Sequence, residues 1–171
     1  MGNPQKHFGK YRAVVVNTND PLHLGRIQAS VPELSKDKPS NWAMPCAPLA
    51  GPHMGLYVLP PVGAQVWIEY EAGDLARPIW VGGFWKSAGE LPAAAGAAAP
   101  TAGIIILQTA QKNAMTISDQ SGPGGGIVLT STSGASIAVS DAGIFISNGK
   151  GASIALVGPS VSVNNGALEI V

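Results

Sequence analysis

The 171-residue sequence is poor in cysteine, histidine and charge, and each scarcity closes off a class of function. Cys46 stands alone, which excludes a disulfide within the chain and a cysteine-built zinc centre and leaves a small buried hydrophobe as its default reading. His7, His23 and His53 are scattered, and none sits at ligand spacing from another His, Cys or carboxylate. No apolar run approaches the roughly 20 residues a helix needs to cross a bilayer. The residues from Met1 to His7 lack the apolar stretch of a secretion signal, so synthesis and assembly in the cytoplasm is the expectation. Ten basic and ten acidic residues cancel, so no net charge recommends a nucleic acid or an anionic membrane as partner.

The few charges are unevenly placed. Residues 1–92 carry eight basic and seven acidic side chains, whereas residues 93–171 carry only Lys112, Asp119, Asp141, Lys150 and Glu169. Ordinary globular surfaces are about a quarter charged, so the second half is not an ordinary compact domain. Between the halves, residues 93–102 form an Ala-rich, Pro-flanked stretch. It is expected to be a linker between a domain at 1–92 and a second one at 103–171, with Gly96, Pro92 and Pro100 opposing a stable helix.

What is abundant is glycine, proline and alternation. The 22 Gly and 14 Pro leave no room for long helices, and the apolar spacing is two, which predicts a chain that is nearly all β. In the first half, strands are expected over 11–17, 25–31, 41–50, 65–71 and 78–85. Ile27, Ala29 and Val31, and again Val66, Ile68 and Tyr70, alternate with mostly polar neighbours. Five short strands in that span suit a small closed barrel of the OB type.

In the second half apolar pairs recur at alternate positions: Ile104/Ile106, Met115/Ile117, Ile127/Leu129, Ile137/Val139, Ile144/Ile146, Ile154/Leu156, Val161/Val163 and Leu168/Ile170. From Ile117 onward the pairs step by seven or ten residues, one strand and one turn each time. Such a strip has one apolar side and too little else to bury it against. Three copies wound about a common axis would enclose every pair and let neighbouring chains satisfy each other's strand edges. The expected core of that trimer is Ile127, Leu129, Ile137, Val139, Ile144, Ile146, Ile154, Leu156, Val161, Val163, Leu168 and Ile170. A single-chain β-helix is the alternative, although its coils usually need twenty or more residues.

The first half also carries an ordered series of motifs: Tyr11-Arg12-Ala13-Val14-Val15, Asn19-Asp20-Pro21, Leu24-Gly25-Arg26-Ile27, Val31-Pro32, Asn41-Trp42-Ala43, Ala50-Gly51 and Gly55-Leu56-Tyr57. Leu59-Pro60-Pro61-Val62-Gly63, Val66-Trp67-Ile68-Glu69-Tyr70, Gly73-Asp74 and Arg77-Pro78-Ile79-Trp80-Val81-Gly82 complete it. In this order, with the repeat behind them, they resemble the phage baseplate assembly protein V and type VI secretion valine-glycine repeat spikes. The resemblance implies an N-terminal OB-fold barrel followed by an intertwined triple-stranded β-helix in a homotrimer. It implies a structural spike that docks on a tube hub at the barrel end and is driven through a target envelope when a sheath contracts. The spike would be assembled in the cytoplasm of the producing cell as part of a phage tail or injection particle. No cofactor, metal or catalytic residue is implied. With no histidine after His53, the end lacks the iron-binding His-x-His of some phage needles. A proline-alanine-alanine-arginine repeat tip protein is then expected at Leu168, Ile170 and Val171.

Local chemistry offers little against this. Asp20-Pro21 and Gly73-Asp74 are turn formers, and Arg26 and Arg77 are candidates for surface ion pairs of small worth. Gly122-Pro123-Gly124-Gly125-Gly126 lacks the Lys-Ser/Thr of a phosphate loop and is read as a flexible break. No Ser lies in a Gly-x-Ser-x-Gly elbow, and no carboxylate pair marks a glycosidase cleft. Two other readings remain: a trimeric receptor-binding fibre or adhesin, and an OB-fold nucleic-acid binder stacking bases on Trp42, Tyr57, Trp67, Trp80, Phe84 and Trp85. The first lacks an aromatic or acidic sugar site in the shaft, and the second lacks a basic groove.

Overall fold

The computed structural model describes residues 5–35, 38–97, 103–122 and 125–170. The chain separates into two compact units, Met1–Ser87 and Ala88–Val171. Both are built almost entirely of strands.

The first unit contains β1 (Tyr11–Asn17), β2 (Gln28–Ser30), β3 (Met44–Pro45), β4 (Ala50–Gly51), β5 (Met54–Gly55), β6 (Gln65–Tyr70) and β7 (Pro78–Gly83). Its main sheet runs in the order β2-β1-β6-β7-β3, with β3 parallel to β7 and the other pairs antiparallel. Ile27 and Ala43 then exchange backbone bonds of 3.2 and 2.7 Å, joining the two outer strands and curling the sheet into a closed OB-type barrel. Period-two alternation supplies the core: Ala13, Val15, Ile27, Ala29, Val31, Ala43, Val66, Ile68 and Tyr70 are buried, with Trp80 packed against them. Trp80 keeps its Nε1–H satisfied by donating to the Gly25 carbonyl at 3.1 Å.

Two strands differ from expectation for identifiable reasons. The stretch 41–50 is not one strand, because Pro45 and Pro48 lack the N–H a ladder needs. It gives the short β3 and then a separate hairpin, β4–β5, turned at His53 with a left-handed φ of 58°. The stretch 25–31 keeps ladder pairing only over Gln28–Ser30, because the residues before Ile27 belong to a loop organised by Asp20. Cys46, expected to be buried, is exposed. It follows β3, donates its N–H to the Trp80 carbonyl at 2.9 Å, and lies off the barrel interior.

The second unit begins with a 3-10 turn at Ala88–Glu90 and then a single helical turn, α1 (Ala93–Ala97), where none was expected. Pro92 accepts a bond from Ala95 N at 2.9 Å, so this proline precedes the helix and supplies an acceptor without interrupting it. The rest of the Ala-rich stretch, 98–102, lies outside the described residues, as do Pro123 and Gly124 of the expected break.

Eight strands follow: β8 (Ile104–Gln108), β9 (Ala114–Ser118), β10 (Gly126–Thr130), β11 (Ser136–Ser140), β12 (Gly143–Ser147), β13 (Ser153–Val157), β14 (Ser160–Val163) and β15 (Leu168–Ile170). Each pairs antiparallel with the next in a simple meander. The spacing of the repeat is turn length. The two-residue turns 141–142 and 158–159 give steps of seven, and the five-residue turns 131–135 and 148–152 give steps of ten. The antiparallel meander excludes a single-chain parallel coil. It also corrects the reason for expecting partner chains: strand edges are hydrogen-bonded to the next strand of the same chain, and the side chains are what lack a partner.

Candidate functional site

Register places the repeat's apolar side chains on one face of the second sheet. Ile117 stands opposite Ile127, Ile127 opposite Val139, Val139 opposite Ile144, Ile144 opposite Leu156, Leu156 opposite Val161 and Val161 opposite Ile170. A second file runs beside it through Met115, Leu129, Ile137, Ile146, Ile154, Val163 and Leu168. All twelve residues expected in a trimer core therefore share a face. Val171, expected beside Leu168 and Ile170, lies outside the described residues.

One pair was misassigned. Across the first hairpin Ile105 opposes Ile117 and Leu107 opposes Met115. The apolar files thus begin at Ile105 and Leu107, and Ile104 and Ile106 lie on the other face. Three consecutive isoleucines give no alternation to read, and a one-residue slip exchanges faces. Only the partner strand resolves it.

This face is uncovered in the single chain. Ten residues from Met115 to Leu156 remain 37–45% exposed, while Ile105, Leu107, Leu168 and Ile170, on the two outermost strands, reach 57–61%. Among the described residues no apolar side chain of this unit is buried. The other face carries Thr116, Val128, Ala138, Phe145, Ala155 and Ser162 in register. Soluble monomers seldom leave so continuous an apolar strip in water, which marks it as an assembly surface.

The turns hold the strands in this register. The turns 109–113, 131–135 and 148–152 each close with a bond from their first N–H to their fifth carbonyl, at 3.0, 2.8 and 3.1 Å. Asn148 Oδ1 also accepts from Lys150 N and Ala152 N, at 2.8 and 3.0 Å. Gly149, with φ of 70°, packs so tightly on the 131–135 turn that a Cβ there would lie 2.7 Å from the Gly134 carbonyl carbon.

Two family models match the two units separately. The type VI secretion system/phage-baseplate injector OB domain matches residues 11–85, and the phage baseplate V C-terminal trimerisation domain matches residues 104–169. The chain belongs to the phage baseplate V and type VI secretion spike family. Its role is structural, as a baseplate or spike component of a phage or injection particle, and its exposed apolar sheet is a trimerisation domain. The match supports a homotrimer. No curated protein sequence matches the chain.

In the spike's barrel, Asp20 is the most constrained charged group. It is buried and accepts from Leu22 N, Leu24 N and Arg26 N at 3.0, 2.8 and 3.2 Å, while Arg26 grips it through Nε at 3.0 Å and Nη2 at 2.5 Å. The Arg26 guanidinium, with these backbone donors, holds the carboxyl far below the usual aspartate range against the opposing effect of burial. Arg26 was expected to make a surface pair of little worth. It is instead largely buried and locks a loop, with Trp42 stacked 5.6 Å from its guanidinium carbon. Arg77 does stay at the surface, pairing with Glu71 at 2.9 Å and Asp74 at 3.7 Å.

The aromatic residues divide between packing and surface. Trp67 and Phe84 lie 4.7 Å apart with Arg12 against both rings, so neither offers a free stacking face. Tyr57 and Trp85 are exposed. Beside the β4–β5 hairpin, Leu24, Leu49, Met54, Leu56, Tyr57 and Trp80 line an open groove of about 700 Å³. Among the described residues no cluster of three His, Cys, Asp or Glu could hold a metal.

Proposed function

We propose that the protein is the central spike of a contractile injection machine. Three barrels dock on the tube hub, and three C-terminal sheets turn their apolar faces to a shared axis as a triple-stranded β-helical needle. Sheath contraction then drives the needle through a target envelope. The observation that carries this reading is the uninterrupted apolar face from β8 to β15, which needs like surfaces to cover it.

The axis of that needle would be filled by Ile127, Leu129, Ile137, Val139, Ile144, Ile146, Ile154, Leu156, Val161, Val163, Leu168 and Ile170. Ile105, Leu107, Met115 and Ile117 extend it through β9 to β8. Seven spacings of about 4.8 Å make its β8–β15 stack about 34 Å long. The exposed apolar side chains of the β4–β5 hairpin and its groove are the surface best suited to the hub. A proline-alanine-alanine-arginine repeat tip protein would cap Leu168, Ile170 and Val171. Assembly takes place in the producing cell's cytoplasm, before the particle is released or fired.

The mass of the purified chain in solution tests the central element. A particle of three chain masses at micromolar concentration is expected, and a monodisperse monomer would refute the needle. Particles assembled with a chain lacking 103–171 should keep the barrel at the baseplate and lose penetration of the target envelope. Undiminished penetration would remove the needle from that step.

A further inference from the structure

Four of the five charged residues in the C-terminal meander lie outside its strands, and these four are sorted by edge. Lys112 and Lys150 lie in the 109–113 and 148–152 turns, which project from one side of the meander. Asp119, directly after β9, and Asp141, in the 141–142 turn, lie on the opposite side. All four are exposed, and none has a salt-bridge partner within the chain among the described residues.

A strand of five residues separates the two edges, roughly 16 Å at about 3.3 Å per residue, so Lys and Asp of one chain cannot meet. In a cyclic trimer with the apolar faces inward, the contact between neighbours is heterologous: one edge of a chain meets the opposite edge of the next. Each lysine then faces an aspartate. Lys112 sits between β8 and β9 and Asp119 between β9 and β10; Asp141 sits between β11 and β12 and Lys150 between β12 and β13. Each offset is one strand spacing, about 4.8 Å, within reach of the flexible lysine stem.

We infer that the Lys112/Lys150 edge of each protomer docks against the Asp119/Asp141 edge of a second copy of the chain, setting direction and height between protomers. The inference rests on the trimeric reading above. Exposed pairs add little affinity, but they penalise wrong arrangements. The apolar files repeat with each strand and tolerate slippage. Antiparallel packing of two chains brings like edges together, Lys to Lys and Asp to Asp. Only parallel chains at matched height satisfy all four charges.

Zero-length carbodiimide coupling of the full chain, after mixing isotopically light and heavy protomers during refolding, tests this directly. Amide links from Lys112 to Asp119 and from Lys150 to Asp141 are expected in mixed light–heavy peptides of a particle with three chain masses. In K112Q/K150Q these links should vanish while the particle keeps its mass. A three-chain particle without either link overturns the edge pairing and leaves the trimer standing. A monomeric mass overturns both.

Discussion

The two units solve the burial problem in opposite ways. In the barrel, alternation turns Val15, Ile27, Val66 and Ile68 toward a closed interior, and each is at most 1% exposed in a single chain. In the C-terminal sheet the same alternation, with larger and more regular side chains, buries no apolar residue among those described. The difference is closure. The Ile27–Ala43 bridge joins the ends of the first sheet, whereas β8 and β15 are unjoined ends of a stack. Pattern alone makes a face, and topology determines whether the chain covers that face itself.

Disturbing each solution should therefore give different symptoms. The largest effect is expected for Ile154→Asp, in the middle of the apolar face, which in the proposed needle places a charge on the shared axis. It should cost roughly 4 kcal/mol or more and leave monomers in sedimentation or light scattering while the barrel stays folded. Ser147→Asp, on the opposite face, should shift stability by only about 0.5 kcal/mol and keep the native mass. Equal tolerance of the two substitutions would mean that the face is assigned backwards.

Next comes Ile68→Ala, which opens a cavity in a core that one chain completes. A loss of about 2–5 kcal/mol in denaturant unfolding of the barrel is expected, independent of protein concentration. A midpoint that follows concentration would show that this core, too, depends on partners.

Gly149→Ala sharpens the contrast from the other side, since it strains the meander without touching the apolar face. Its positive φ and the nearby Gly134 backbone predict a loss of roughly 1–3 kcal/mol, visible as a lower melting temperature of the C-terminal unit.

The smallest effect concerns the barrel's charged latch. Because the folded state holds the Asp20 carboxyl below its unfolded value, the latch contributes fully above the usual aspartate range. That contribution falls as pH drops through about 4 toward the lower folded value. Thermal unfolding from pH 7 to pH 2 should lose this increment in the native chain and show a shallower acid slope in Asp20→Asn. Identical slopes would remove Asp20 from acid sensitivity.

Much of this architecture was legible from residue order. Strand β6 lies close to where alternation put it, because Val66, Ile68 and Tyr70 are separated by Trp67 and Glu69, which face away from the core. The twelve expected core positions share a face, because each pair is preceded by Gly, Ser or Ala, which marks where its alternation begins. Ile104 and Ile106 failed because three isoleucines in a row carry no alternation. Cys46 failed because proline-rich sequence before and after it left no strand to turn it inward. The pairing of Arg26 with Asp20 was missed because it depends on how a loop folds back across six positions, which no period records.

By itself the sequence determined that the chain is all β, that its halves differ in charge and in the use of their apolar residues, and that the second half repeats a strand and a turn. Local propensity, turn chemistry and alternation act between near neighbours, so residue order contains them. Only the tertiary structure decided that the first sheet closes and the second does not, that the apolar files begin at Ile105, and that lysines and aspartates occupy opposite edges. Those outcomes depend on which strand lies beside which, and hydrogen bonds between residues distant in the chain set that.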